Sequence, residues 1–447
     1  MSDISFQQLE KQLRQQLNSL PDDDADARLT SITLELQGQS FPAMPDIDAT
    51  CFYWARPQQQ HAVLTSGEVL RLEQQGIGRF EHLQKQFSQL QHHWRHAGDH
   101  RPEDPLAFFC YAFDADESMT GWWSGLPNSC VIVPQLLLNY SCGSCFVTFT
   151  VDSESLHSET LIDLWLQAFT ELMHAVHVPA DSCAAASLQR SKVSPQDDRW
   201  IARVGQAVAD IRRSDLKKVV LSRRIRVEGE SDFSAARLMA RLIQRYPGCT
   251  LFAARVDEVT LVAATPERLV SLHRGELKSD AMAGTLAADA TLDEHMVKYE
   301  HLPVVHTIAQ ILAPLCEQLD IPEQPQLLQL HGLQHIWTPI HARVKSDISL
   351  LELVAALHPT PAVSGAPDHV AREWLMQNDD QQRGWYCGGF GWMNSAGEGH
   401  ASVMLRCALL QGNMAELFAG AGITAYSDPH SEFRETELKL QTILDLL

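Results

Sequence analysis

Residues Ser214–Arg224 read SDLKKVVLSRR. The stretch has the pattern of a β-strand entered by two adjacent lysines. Successive side chains of a strand point to opposite faces. Lys218 therefore shares a face with Val220 and Ser222, and Lys217 points the other way. Lysine is rarely buried in full. One reading leaves both ammonium groups at the strand end, snorkelling into solvent. The other places one lysine inside a site, where it acts as a base. The strand alone leaves both open.

Working outward, Trp200, Val204, Val208 and Ile211 recur at helical spacing just upstream. Ser194-Pro195 gives the cap-then-proline order of a helix start. Downstream, TLFAAR, VTLVAAT, RLVSLH, ASVMLRCALL and MAELFAGAGI read as strands. Helical patterns cover 233–245, 293–319, 349–357 and 431–447. In the first half, HAVLTSGEVLRLE, PLAFFCYAFD, CVIVPQLLLNY and CFVTFTV read as strands, and 81–96 and 161–176 as helices. The segment 178–198 is rich in Ala, Ser and Asp and reads as a linker or crossover loop. Adjacent strands joined by short turns and flanked by long helices predict an α+β layered fold.

The composition narrows the function. Acidic residues outnumber basic ones 56 to 35, for a formal charge of −21, which disfavours nucleic acid as a partner. A small acidic substrate still fits a locally positive pocket or a metal ion. No run of about 18 apolar residues appears, so no membrane span is expected. The polar start, MSDISFQQLEKQLRQQL, lacks a signal-peptide pattern, and the expected location is the cytoplasm. The ten cysteines follow no framework spacing and are expected as thiols. His92 and His96 have helical i,i+4 spacing, but no Glu or Cys lies beside them, and they read as a solvated helix end.

Near the C-terminus, Gly420-Ala421-Gly422 allows backbone to approach a ligand closely. Ser427-Asp428-Pro429 then opens a helix that carries Glu432 and Glu435 on one face, with Lys439 four residues on. These residues read either as a surface ion pair or as carboxylates for a hard cation such as Mg²⁺. Glu300 lies within the 293–319 helix pattern, and Glu267 follows Pro266 at a strand-turn junction. HPTPAVSGAP, from His358, reads as a shaped loop.

Taken in order, KVVLSR, ATPERL, AMAGT, YEH, LQH, HPTPAVSGAP, WYCGGFG, VMLRCA, GAGI and SDPHSEFRE resemble the chorismate-utilising enzymes. That family includes isochorismate and salicylate synthases and the large subunits of anthranilate and aminodeoxychorismate synthases. The motifs cover Trp200 to the end. CFYWAR and YAFD resemble the menaquinone-type isochorismate synthases more loosely. The resemblance implies two β-sheets packed as a sandwich with helices outside. It makes 1–180 an N-terminal part of the fold and 195–447 the catalytic region, together one compact unit.

The resemblance also assigns roles. Lys218 matches the general base, where anthranilate synthases usually carry glutamine. Ala283 stands where aminodeoxychorismate synthases carry a nucleophilic lysine, so water is the implied nucleophile and no glutaminase subunit is expected. Glu267 matches the general acid. Glu300 and Glu435, with Glu432 through water, match the Mg²⁺ ligands. Thr285, His335, Tyr386, Arg406, Gly420, Gly422 and Lys439 match substrate-binding positions. The implied reaction converts chorismate to isochorismate: water adds at C2 and the C4 hydroxyl leaves. Menaquinone supply is the implied pathway. The alternatives are a salicylate synthase, a siderophore-pathway isochorismate synthase, or a non-catalytic chorismate-binding protein. The chain departs from many relatives at Val297, where they carry a polar or acidic residue, and at Pro303, which predicts a helix kink.

Overall fold

The computed structural model describes the chain except residues 1–5, 21–26, 47–48, 177–187, 192–196, 257–258, 288, 290, 293, 331 and 380. Lys218 opens the strand Lys218–Glu228. Its alternation resolves the two lysines: Lys217 is exposed, while Lys218 is 5 % exposed. Val219 and Leu221, on the opposite face from Lys218, pack with Trp200 and Val204 of the helix Asp197–Ile211. The Trp200 indole also donates to the Ser222 carbonyl at 3.0 Å, pinning that helix to the strand.

Two large mixed-length sheets form the body. In the first, Lys218–Glu228 pairs antiparallel with Met414–Thr424. The sheet continues through Cys407–Gln411, Val259–Thr265 and Thr250–Val256 into the N-terminal strand Cys51–Arg56 and its neighbours. The second sheet runs from Cys316–Asp320 through Leu333–Val344, Glu276–Ala287, Arg268–His273, Gly399–Val403 and Gly389–Met393 to Ala107–Tyr111. Each sheet thus takes strands from both halves of the chain. Phe252 of the first sheet stacks on Phe390 of the second at 4.1 Å, and Phe52 on Phe108 at 5.4 Å. These rings lie in the core between the sheets. The outer face of the first sheet is covered by helices that contribute Leu9, Leu13, Trp165, Phe169, Leu238 and Leu440. The fold is α+β and layered.

Several local expectations need correction. The helix over 81–96 is Arg79–His92, and Trp94–Gly98 is a strand paired parallel to Leu29–Leu36. His96 therefore stacks on His100 at 4.3 Å and shares no helix face with His92. The pairing edge of Leu29–Leu36 overrode the local helical period. The 293–319 helix is shorter and interrupted. It comprises Glu294–Met296, a π-turn over Val297–His301 and Leu302–Leu312, and Cys316–Asp320 is a strand. Pro303 falls in the first turn of Leu302–Leu312, directly after the π-turn. ASVMLRCALL is two strands in different sheets, Gly399–Val403 and Cys407–Gln411. The expected linker contains an edge strand, Gln189–Ser191, paired with Lys218–Glu228. The expected Ser194-Pro195 helix start lies outside the described residues.

Candidate active site

The ends of the central strands, the 358–367 loop and the C-terminal helix Pro429–Leu444 enclose one cavity of about 100 Å³. Lys218, Glu267, Thr285, Glu300, His335, Tyr386, Arg406, Gly420, Gly422, Glu435 and Lys439 all line it, drawn from across some 220 residues of sequence. Glu432 does not line it, although Glu435 and Glu300 are close enough to act on its charge.

Glycines make room for the lysine. A Cβ on Gly422 would stand 2.6 Å from Lys218 Cε, and one on Gly420 would stand 2.9 Å from the Tyr386 hydroxyl. Close approach of the Lys218 and Tyr386 side chains, not backbone freedom, is what the two glycines accommodate. Burial holds the Lys218 pKa below its ordinary value, and Lys439 adds to the shift. Glu300, Glu435 and Glu267 oppose it. Lys439 bridges Glu435 at 2.7 Å and donates to the Gly420 carbonyl at 2.9 Å.

Glu267, at the junction between Val259–Thr265 and Arg268–His273, is 3 % exposed rather than a solvated turn residue. Burial pushes its carboxyl up to about 8, and the nearby Asp280 carboxylate adds to the push. Lys218 and Lys439 work against it. Asp280 is itself held by Arg268 at 3.0 Å and by the Trp337 indole at 2.9 Å. A carboxyl in this setting keeps its proton at neutral pH.

AMAGT lies in the strand Glu276–Ala287, where the register with Leu333–Val344 shifts between Met282 and Thr285. Gly284 carries the bulge at φ +90°. Such a bulge re-aims the next side chain. Thr285 then sits opposite His335, with its Oγ1 3.3 Å from His335 Nδ1. Arg406 Nη2 lies 2.8 Å from His335 Nε2. A guanidinium only donates, so Nε2 accepts and the imidazole proton rests on Nδ1. Burial and Arg406 both hold His335 well below its usual pKa, in agreement with a neutral ring.

Arg406 is buried at the break between the two strands, with φ +48°. A non-glycine residue held in the left-handed region marks strain often found at functional sites. Its Nη1 donates to Thr442 at 3.1 Å, and among the described residues no carboxylate lies within ion-pair distance of it.

Three supports were not identified from the sequence. The Arg383 guanidinium donates to the carbonyls of Val363 and Val220, at 2.9 and 2.6 Å, from behind two pocket-lining residues. The Glu117 carboxylate, from the other half of the chain, accepts from the backbone N–H groups of Arg383 and Gly384. His301 places Nε2 2.8 Å from Thr338 Oγ1 and ties the Glu300 turn to the second sheet. All three are long-range contacts without a local sequence signal.

Glu300, Glu432 and Glu435 are oxygen donors suited to a hard cation. Burial pushes Glu432 up to about 7, and Glu435 and Glu300 contribute by like-charge repulsion, so a cation would relieve this crowding. Among the described residues no three His, Cys, Asp or Glu side chains stand together as a ready coordination group. Mg²⁺ keeps several waters and commonly takes only one or two protein carboxylates, so the donor set fits it.

The sequence comparisons bear on this pocket directly. Residues 12–447 match the family model described as chorismate binding enzyme. The chain belongs to that family. A salicylate biosynthesis isochorismate synthase of Pseudomonas aeruginosa is 31% identical over 427 residues, covering 92% of this chain and 87% of the relative. The isochorismate synthase MenF of Bacillus subtilis is 26% identical, covering 89% and 87%. Among solved structures, the menaquinone-specific isochorismate synthase MenF of Escherichia coli superposes with a TM-score of 0.74 at 22% identity, covering 97% of this chain and 99% of that one. Anthranilate synthase component I of Streptococcus pneumoniae gives 0.69 at 18% identity, covering 92% and 95%. The two structural likenesses establish the fold, and it is the family fold. No helix among the described residues is long and apolar enough to cross a membrane.

Proposed function

We propose that the chain is an isochorismate synthase that converts chorismate to isochorismate. The observation that carries this reading is that one cavity holds a buried lysine with a lowered pKa and a buried carboxyl that keeps its proton near neutral pH. A base whose charged form is disfavoured by burial and an acid that holds its proton near neutral pH are what a displacement on an allylic alcohol needs. Lys218 takes a proton from water, and the hydroxide equivalent bonds to ring carbon 2. Both ring double bonds shift, from carbons 1–2 and 5–6 to carbons 1–6 and 4–5, and the carbon 4–oxygen bond breaks. Glu267 gives its proton to the departing hydroxyl, which leaves as water. One water enters and one leaves, so the proton gained by Lys218 balances the one lost by Glu267.

Arg406 and Tyr386 are proposed to bind the enolpyruvyl carboxylate, a role suited to a buried guanidinium with no carboxylate at ion-pair distance among the described residues. Thr285, held by neutral His335, keeps its hydroxyl hydrogen available to an anionic substrate. The backbone at Gly420 and Gly422, and Lys439, complete the pocket. Glu300 and Glu435 would hold Mg²⁺, with Glu432 acting through water. The ion, when bound, supplies Lewis-acid polarisation of the ring carboxylate. Ala283 leaves no amine at the nucleophile position, which supports water as the attacking group and a chain that works without a glutaminase subunit. Menaquinone biosynthesis in the cytoplasm is the proposed setting, supported by the MenF relatives. We further propose that 1–180 and 195–447 work as one unit, since each sheet draws strands from both.

Incubation of the purified protein with chorismate, with and without Mg²⁺, followed by chromatographic separation, tests the reading. Isochorismate as the sole product, formed only with the metal, is the expected result. Salicylate with pyruvate would make the protein a salicylate synthase, and unchanged chorismate would make it a binding protein.

A further inference from the structure

Tyr299, Glu300 and His301 are consecutive residues of the π-turn, and they engage three different surroundings. Glu300 lines the cavity. His301 is anchored inward on Thr338. Tyr299 points outward and meets Tyr426, with ring centroids 5.1 Å apart. His295, one turn earlier, lies 4.5 Å from both tyrosine rings. Tyr426 belongs to the turn between the strand Met414–Thr424 and the C-terminal helix that carries Glu432 and Glu435. That turn is itself fixed by local bonds: Thr424 N–H donates to Ser427 Oγ at 3.1 Å, and Tyr426 N–H reaches Thr424 Oγ1 at 3.4 Å.

The rings are not core. Tyr426 is 61 % exposed and Tyr299 is 38 % exposed. Two exposed tyrosines and a histidine packed face and edge against one another contribute little to burial. They connect the turn bearing Glu300 to the helix bearing the other two carboxylates. π-turns are one residue wider than the α-helix, and they concentrate at functional sites. The three carboxylates are not gathered into a ready coordination group, so their separation depends on how these two elements are held.

We propose that Tyr299, Tyr426 and His295 form an aromatic clasp that positions Glu300 relative to Glu432 and Glu435 for cation binding. The clasp touches neither substrate nor metal and acts through Glu300. The inference rests on the metal site of the proposed function. Mn²⁺, a cation that also accepts oxygen donors, serves as the probe. Its binding is read from the loss of the free-ion electron paramagnetic resonance signal, without chorismate. The parent and Tyr426→Phe, which keeps the ring, are expected to bind alike. Tyr426→Ala is expected to bind about threefold to tenfold more weakly, the range set by aromatic pair energies, with an unchanged unfolding temperature. Equal affinity in parent and Tyr426→Ala would overturn the clasp and leave the metal site standing. A parent that takes up no Mn²⁺ would overturn the metal site and the clasp with it.

Discussion

At the scale of the residue, desolvation is the main cause of both shifts in the proposed acid–base pair. It lowers Lys218 and raises Glu267, because the water each charged form loses outweighs the attraction of the opposite charges around it. Lys218→Ala should lower turnover by about 10²- to 10⁴-fold, the usual share of acid–base catalysis, while chorismate still binds in a fluorescence titration. Turnover near the parent value would remove Lys218 from the role. Glu267 also sets a pH dependence. Its acid form is the working form, so turnover should fall as pH rises through about 8. The same group affects stability with a defined sign. Its folded pKa lies above the unfolded value of 4.5, so the native state holds a proton that the unfolded chain releases. Stability therefore falls between pH 4.5 and about 8. Glu267→Gln should lose turnover and unfold at a higher temperature than the parent at pH 7.5, with no difference at pH 4. A melting temperature that fails to rise at pH 7.5 would contradict the buried neutral carboxyl.

At the scale of the element, the site depends on the pairing of Lys218–Glu228 with Met414–Thr424, which sets Val220 opposite Gly422. The glycine leaves room for the neighbouring Lys218 side chain. In Gly422→Ala the new methyl meets the flexible end of that lysine, not backbone. The strand should hold and the amine should move. Turnover is expected to drop by about 10²-fold, the cost of a displacement of roughly 1 Å, with the melting temperature nearly unchanged. A variant that keeps full turnover would show that the amine position is not limiting. The motifs at this scale were legible locally: KVVLSR as a strand with Lys218 on one face, and Asp428-Pro429 as a helix start, where Asp428 accepts from Ser431 N–H at 2.8 Å. The interrupted 293–319 helix and the strand at Trp94–Gly98 were not, because their apolar spacing fits a helix as well as what forms. Pairing edges and the anchoring of His301 on Thr338 decided them.

At the scale of the whole molecule, the rings between the sheets hold both halves of the chain in one core. Phe252→Ala should cost about 3–5 kcal/mol through the cavity it leaves, measured by chemical denaturation. Because each sheet shares strands between the halves, the parent should unfold in a single transition by fluorescence and circular dichroism. Separate transitions would mean that the halves unfold independently.

By itself the sequence determined the layered α+β class, the parity of Lys218 against Lys217, and an ordered set of motifs sufficient for the family. All of these rest on local periodicity, or on residue types at fixed spacing. The tertiary structure decided which motif residues meet. Lys218 and Glu267 share one cavity, Arg406 lies buried beside His335, and Glu432 stands back from the cavity wall. It also revealed the supports at Arg383, Glu117 and His301. Such contacts join segments from 20 to 266 residues apart. Their chemistry arises from burial and from neighbours supplied by other elements, and a linear sequence carries no periodic signal for either.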